Sequence, residues 1–375
     1  MRFNPTVEEI QLSGIRKIFE MANSKAINLG LGEPDFHPPD RVKEALKEAV
    51  DKGYNKYDST YGLKILREAI AEKYSKYDDL TADNVLITVG ATEGIFSTML
   101  SVVERGSKIL IPDPGFVLYE PHTKIAGGVP VRYQLRSEKD FQPDEEEIKN
   151  LIDDKVKAIV VNSPSNPTGS VLSPDSVKFF LDISEDYNLT IISDEVYMNF
   201  VYDSQHQTFL GKGENVIFVQ SFSKEFAMTG WRIGYLIGDK KAIKTIGKIH
   251  YYLVACPTTP IEYAAYIAIR DCEEFTVKMV KEFSKRRKVI YEELKKIDGI
   301  HPNVPKGAFY IFPKYDYNIK SEKLAEELAK RGLLSAPGSA FGPGGEGHIR
   351  FSYAASIDDI RKGMEILRNY VEEIS

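Results

Sequence analysis

Cysteine is nearly absent: Cys256 and Cys272 are the only two in 375 residues, and tryptophan occurs once. Two distant cysteines cannot build a disulfide framework or a cysteine-based zinc site, so a reducing compartment is the simpler reading. No run is long and apolar enough to span a bilayer. The first residues, Met1-Arg2-Phe3-Asn4-Pro5-Thr6-Val7-Glu8-Glu9, place acids and a proline where a secretory signal would need an apolar stretch. A cytoplasmic protein is expected. The six histidines show no paired spacing for a metal, so no metal site is expected. The net charge of −6 is spread over interspersed acids and bases, which argues against a polyanion-binding face and hence against nucleic acid as a partner. Glutamine is scarce beside abundant Lys, Glu and Ile, a composition that points to a heat-adapted source.

What is present is a chain with 42% hydrophobic residues, enough for a large core and for two domains. From Val85 onward, short apolar β-branched runs alternate with helical patterns: Val85 to Val89, Lys108 to Ile111, Ala158 to Val161, Thr190 to Ile192 and Val216 to Val219. Their near-continuous apolar character predicts strands covered on both faces, hence an α/β fold with a mostly parallel central sheet flanked by helices. Helices are predicted at Glu93 to Val103 and Ser176 to Tyr187, the latter started by Leu172-Ser173-Pro174-Asp175. Beyond about Asp271 come a long charged helix, Glu274 to Lys296, short strands at Ala308 to Phe312 and His348 to Ser352, and a last helix from Ser356 to Glu373. The Gly- and Pro-rich Ala26 to Pro39 reads as an arm crossing between domains. The expected division is a large domain over 40–275 and a smaller α+β domain made from 1–39 and 276–375.

Several segments carry chemistry. Lys224 lies in Ser221-Phe222-Ser223-Lys224, just past a strand and upstream of Gly230-Trp231-Arg232. An amine on a tight turn near a cation suits a Schiff base to an aldehyde cofactor that carries a phosphate. Gly90-Ala91-Thr92-Glu93-Gly94 joins a strand to a helix and points free N–H groups at an anion. Ser163-Pro164-Ser165-Asn166-Pro167-Thr168-Gly169 follows a strand, at the carboxyl edge where open α/β sheets bind ligands. Asp194 closes an apolar run and reads as a cap, a surface acid or the partner of a buried cation, with Tyr197 three residues on. Gly342-Pro343-Gly344-Gly345-Glu346-Gly347 satisfies G-x-G-x-x-G, but it leads into a strand and so lacks the context of a dinucleotide site.

In order along the chain, Gly32-Glu33-Pro34-Asp35-Phe36, Lys56-Tyr57 with Gly62, Asn166-Pro167-Thr168-Gly169, Ser193-Asp194-Glu195-Val196-Tyr197, Ser221-Phe222-Ser223-Lys224, Gly230-Trp231-Arg232 and Ile349-Arg350-Phe351-Ser352-Tyr353 resemble the class I aminotransferases of pyridoxal-phosphate fold type I. The resemblance covers almost the whole chain. It implies pyridoxal 5′-phosphate as cofactor, Lys224 as the Schiff-base lysine and proton shuttle, and Asp194 as partner of the ring nitrogen. Tyr197 and Asn166 would bond the ring's phenolic oxygen, and Phe116 would stack on the ring. Gly90, Ala91, Thr92, Ser221, Ser223 and Arg232 would hold the phosphate, joined by Tyr57 from a neighbouring subunit, which makes a homodimer with shared sites. Arg350, Asn166 and Gly32 would bind the substrate carboxylate.

The activity so implied is transamination of an L-amino acid with 2-oxoglutarate. Aspartate is the favoured donor, although His250-Tyr251-Tyr252-Leu253-Val254-Ala255-Cys256-Pro257 resembles the aromatic-rich segment of members that accept aromatic or broad substrates. A β-lyase of the same fold is a further alternative, because the same groups support elimination.

Overall fold

A computed structural model of the chain describes residues 1–10, 14–20, 26–203 and 205–374. A seven-stranded sheet lies at its centre, in the spatial order Val85–Thr88, Gly234–Ile237, Val216–Ser221, Thr190–Asp194, Val156–Asn162, Lys108–Asp113, Val129–Gln134. Gly234–Ile237 runs antiparallel to both neighbours, and every other adjacent pair is parallel. The sheet is thus mostly parallel, as the continuous apolar runs predict. Side chains alternate between two cores: Tyr235 and Ile237 join one, Leu236 the other. That period of two is the pleat, and helices on both faces keep either set from water.

Two strands of this central sheet escape the sequence reading. Val129–Gln134 is an edge strand whose residues are mostly half-exposed, so it lacks a continuous apolar signature. Gly234–Ile237 follows a turn directly and is only four residues long.

The predicted helices form with small shifts. The helix Pro174–Asp186 has proline in its first turn and the Ser173 hydroxyl accepting from the Ser176 amide, a favourable start because proline gives up no needed donor there. Gly90–Val102 begins straight after its strand, and no side chain caps it.

The C-terminal part packs the helices Glu273–Leu294, Ser321–Lys330 and Ile357–Ile374 around a three-stranded antiparallel sheet. Ile349–Ser352 lies in the middle, between Tyr310–Ile311 and Ala336–Pro337. The expected strand over Ala308 to Phe312 narrows to Tyr310–Ile311, since Ala308 has φ 56°, a left-handed backbone that cannot continue a strand. The N-terminal arm joins this part: Ile27–Asn28 pairs in parallel with Leu333–Leu334, and Leu29 enters the same core as Phe283, Ile290, Phe309 and Leu367. Among the described residues no helix is long and apolar enough to cross a membrane.

Candidate active site

The carboxyl ends of the parallel strands and the C-terminal sheet enclose a cavity of about 290 Å3. Lys224 enters it from a one-turn helix, Phe222–Glu225, that follows the strand Val216–Ser221. The Ser221 hydroxyl starts that turn by accepting from the Ser223 amide at 3.0 Å, and it faces the Ile233 carbonyl at 3.3 Å. The Lys224 amine donates to the Gly32 carbonyl at 2.6 Å. Burial pushes its pKa down to about 8, with Arg232 and Arg350 acting in the same sense against the pull of Glu33 and Asp194.

Asp194 ends the neighbouring strand and is 3% exposed. Its Oδ2 accepts from the Tyr119 hydroxyl at 2.7 Å, while the Val196 amide approaches Oδ1 at 3.4 Å. Burial nonetheless raises its pKa to about 6, outweighing those two bonds. A carboxylate so placed stabilises a cation brought to it.

At another end of the cavity the helix Gly90–Val102 directs its first turn, with Ala91 and Thr92, at Arg232. Arg232 reaches in from an exposed turn, has φ 54°, and donates to the Thr229 carbonyl at 2.9 Å. Gly90 lies behind that turn with φ 75°, where a Cβ would sit 2.6 Å from Nη2 of Arg232. A Cβ on Gly234 would sit 2.8 Å from the Ala91 nitrogen. Two glycines thus let a guanidinium and free helix N–H groups converge, a cradle for an anion.

Arg350 comes from the middle of the three-stranded sheet and is 2% exposed. Its Nη1 donates to Oδ1 of Asn166 at 2.8 Å and its Nη2 to the Gly30 carbonyl, while Nε has no partner. The guanidinium lies over the rings of Tyr310 and Phe341, 4.5 Å and 4.9 Å from their centroids. A buried guanidinium with an unused donor suits a carboxylate.

The structure therefore brings together Gly32, Ala91, Thr92, Phe116, Asn166, Asp194, Tyr197, Ser221, Ser223, Lys224, Arg232 and Arg350 around one cavity. Gly90 acts from behind it, and Tyr57, 88% exposed, stands away from it. Sequence reasoning missed Tyr119 and Tyr310, both fully buried aromatics that read as core. The glycine run at Gly342 folds back on the sheet instead of forming a nucleotide turn: the Gly344 amide donates to Oδ1 of Asp113 at 2.9 Å. No cluster of three metal-ligating side chains occurs among the described residues.

This donor set fits pyridoxal phosphate, with an anion cradle at one end, a buried carboxylate for a protonated ring nitrogen, and a desolvated amine for the aldehyde. The family described as aminotransferase class I and II matches residues 24–367. A probable aspartate aminotransferase of Methanocaldococcus jannaschii is 41% identical over 97% of this chain and 98% of its own. An aromatic-amino-acid aminotransferase 2 of Thermococcus litoralis is 36% identical over 100% of this chain and 99% of its own. Among solved structures, an alanine aminotransferase from Pyrococcus furiosus superposes with a TM-score of 0.94 at 30% identity, covering 99% of this chain and 100% of that one.

Proposed function

The chain belongs to the class I and II aminotransferases and is a pyridoxal-phosphate-dependent transaminase, and from that premise we propose that it moves the amino group of L-aspartate to 2-oxoglutarate. The observation that carries the reading is the convergence of Lys224, Asp194 and Arg350 on one cavity. The 41% identity to a probable aspartate aminotransferase supports the donor.

Pyridoxal phosphate, when bound, supplies an electron sink that makes the amino acid's α-proton removable. The protein's own groups do the rest. Ala91 and Thr92 amides, the Ser221 and Ser223 hydroxyls and Arg232 would hold the phosphate in the cradle backed by Gly90. Asp194 keeps a proton on the ring nitrogen. Tyr197 and Asn166, both in the cavity wall, would hydrogen-bond the phenolic oxygen, and Phe116 would supply apolar surface to the ring. Arg350 takes the substrate carboxylate with its fork, and Gly32 closes over it from the arm. Lys224, with a pKa of about 8, is partly neutral near pH 7 and carries the proton away from and back to the substrate.

The proposal includes a homodimer in which Tyr57 of each chain serves the other's phosphate, supported by its 88% exposure outside its own cavity. It also keeps the division into 40–275 and the joined 1–39 and 276–375, supported by the arm strand Ile27–Asn28 pairing with Leu333–Leu334.

A second reading, an aromatic or broad donor, is favoured by the cavity wall formed by Ile15, Leu31 and Val117. Beyond Lys224, Arg232 and Arg350, no cation lines the cavity among the described residues.

Incubating the loaded enzyme with single amino acids, without acceptor, and following the cofactor's visible absorbance tests both readings. Bleaching by aspartate and recovery with 2-oxoglutarate is expected. Bleaching only by aromatic donors would select the second reading, and ammonia release from a β-substituted donor without acceptor would overturn both.

A further inference from the structure

Tyr310 opens the short strand Tyr310–Ile311, is fully buried, and lines the cavity. Three relationships fix its side chain. Its hydroxyl stands 2.6 Å from that of Tyr197. The Arg350 guanidinium lies over its ring, 4.5 Å from the centroid. Gly32 leaves it room, because a Cβ at that position would lie 2.3 Å from the Tyr310 oxygen.

The two hydroxyls are not equivalent. A cation on the ring face draws on the π electrons and favours the phenolate form, so Tyr310 is the more acidic and the stronger donor of the pair. Arg350 opposes the upward push of burial on both hydroxyls, and their mutual hydrogen bond separates them, lowering the Tyr310 pKa and raising that of Tyr197. With Tyr310 donating, the Tyr197 oxygen is occupied as acceptor and its own proton remains free to point into the cavity. Successive hydrogen bonds of this kind strengthen one another.

We propose that Tyr310 is a positioning residue that aims the Tyr197 proton at the cofactor and links that hydrogen bond to the carboxylate-binding Arg350. The inference rests on the reading of Tyr197 as donor to the cofactor's phenolic oxygen.

The test is a pH titration of the cofactor's visible absorbance in the holoenzyme and in its Tyr310→Phe, Tyr197→Phe and doubly substituted forms. A hydrogen bond to the phenolic oxygen favours its anion, so losing the Tyr197 donor should raise the midpoint by roughly one pH unit. Tyr310→Phe should raise it by roughly half as much, lower kcat, and leave KM nearly unchanged because the ring stays over Arg350. In the Tyr197→Phe background it should add nothing.

An unmoved midpoint in Tyr310→Phe, with Tyr197→Phe shifted, overturns the inference and leaves the Tyr197 reading standing. An unmoved midpoint in Tyr197→Phe overturns that reading and the inference with it. A Tyr310→Phe shift that persists in full in the double variant also overturns it, since the effect would not pass through Tyr197. Should Tyr310→Phe fail to fold, Gly32→Ala crowds the same hydroxyl and is expected to raise the midpoint; no shift there would again overturn the inference.

Discussion

The hydroxyl of Tyr119 donates to Oδ2 of Asp194 at 2.7 Å, with both residues buried and only Asp194 lining the cavity. Burial drives the Asp194 pKa up to about 6, and the Tyr119 bond is the larger of the two hydrogen bonds that hold it from rising further. A carboxyl that is protonated cannot pair with a protonated ring. Cofactor affinity of the cofactor-free protein should therefore fall as pH drops through about 6. In Tyr119→Phe that fall should begin at higher pH, with affinity at pH 7 reduced roughly tenfold, the size of one hydrogen bond to a charged group. Equilibrium titrations across pH 5 to 8, spanning the usual range of the shifted carboxyl, check this; superimposable curves would contradict it.

Lys224 makes the unliganded protein less stable. An amine held near 8, against its ordinary 10.5, binds fewer protons folded than unfolded between those values. The cost is therefore full below pH 8 and fades as pH rises through the window to 10.5. Lys224→Met should abolish turnover, yet raise the urea midpoint of the cofactor-free protein at pH 7 by the equivalent of about 1–2 kcal/mol, allowing for the lost bond to Gly32. The gain should shrink toward pH 10. A lower midpoint than wild type at pH 7 would refute the account.

Arg350 is a test of fork geometry. Lysine keeps the charge but not the paired donors, so Arg350→Lys should lower kcat/KM roughly 30- to 100-fold, chiefly through KM. Donor and acceptor both carry an α-carboxylate, so KM should rise for both in steady-state assays. A rise for one alone would place Arg350 elsewhere in the site.

Gly90→Ala forces a side chain into a backbone with φ 75° and within 2.6 Å of the Arg232 guanidinium. A loss of roughly 1–3 kcal/mol in stability is expected. The sharper readout is ligand choice: affinity for pyridoxal phosphate should drop while affinity for pyridoxal, which has no phosphate, changes little. Equal losses would mean that the strain spreads beyond the cradle.

The strand ends were legible because burial writes itself into sequence. Within these strands Ala158 to Val161 and Ile191 to Ile192 are unbroken apolar runs that end in Asn162 and in Ser193-Asp194, and a polar group at such an end has a reason to be there. The glycines at 32 and 90 and the hydroxyl-lysine turn at 221–224 are local signals that survive without coordinates. Tyr119 and Tyr310 were not legible, since an aromatic within an apolar stretch looks the same whether its hydroxyl meets a carboxylate, a second tyrosine or nothing. Their roles arise from the crossing of segments distant in sequence: Tyr310 meets Tyr197 only once the C-terminal sheet lies against the central one. The edge strand Val129–Gln134 was hidden for the opposite reason, because its half-exposed residues have no unbroken apolar pattern.

The reversed strand Gly234–Ile237 has a mechanical meaning. Paired to Val216–Ser221 with Ser221 opposite Gly234, it turns the segment 222–233 into a closed clasp that carries both the amine of Lys224 and the guanidinium of Arg232. The distance between these two groups is set by the register of one hairpin rather than by the packing of separate parts. A one-residue slip would turn every side chain of the strand to the opposite face. The two ends of a bound cofactor would thereby be gauged by a single hairpin, whereas the carboxylate-side Arg350 is carried by a different sheet, the three-stranded one of the C-terminal part.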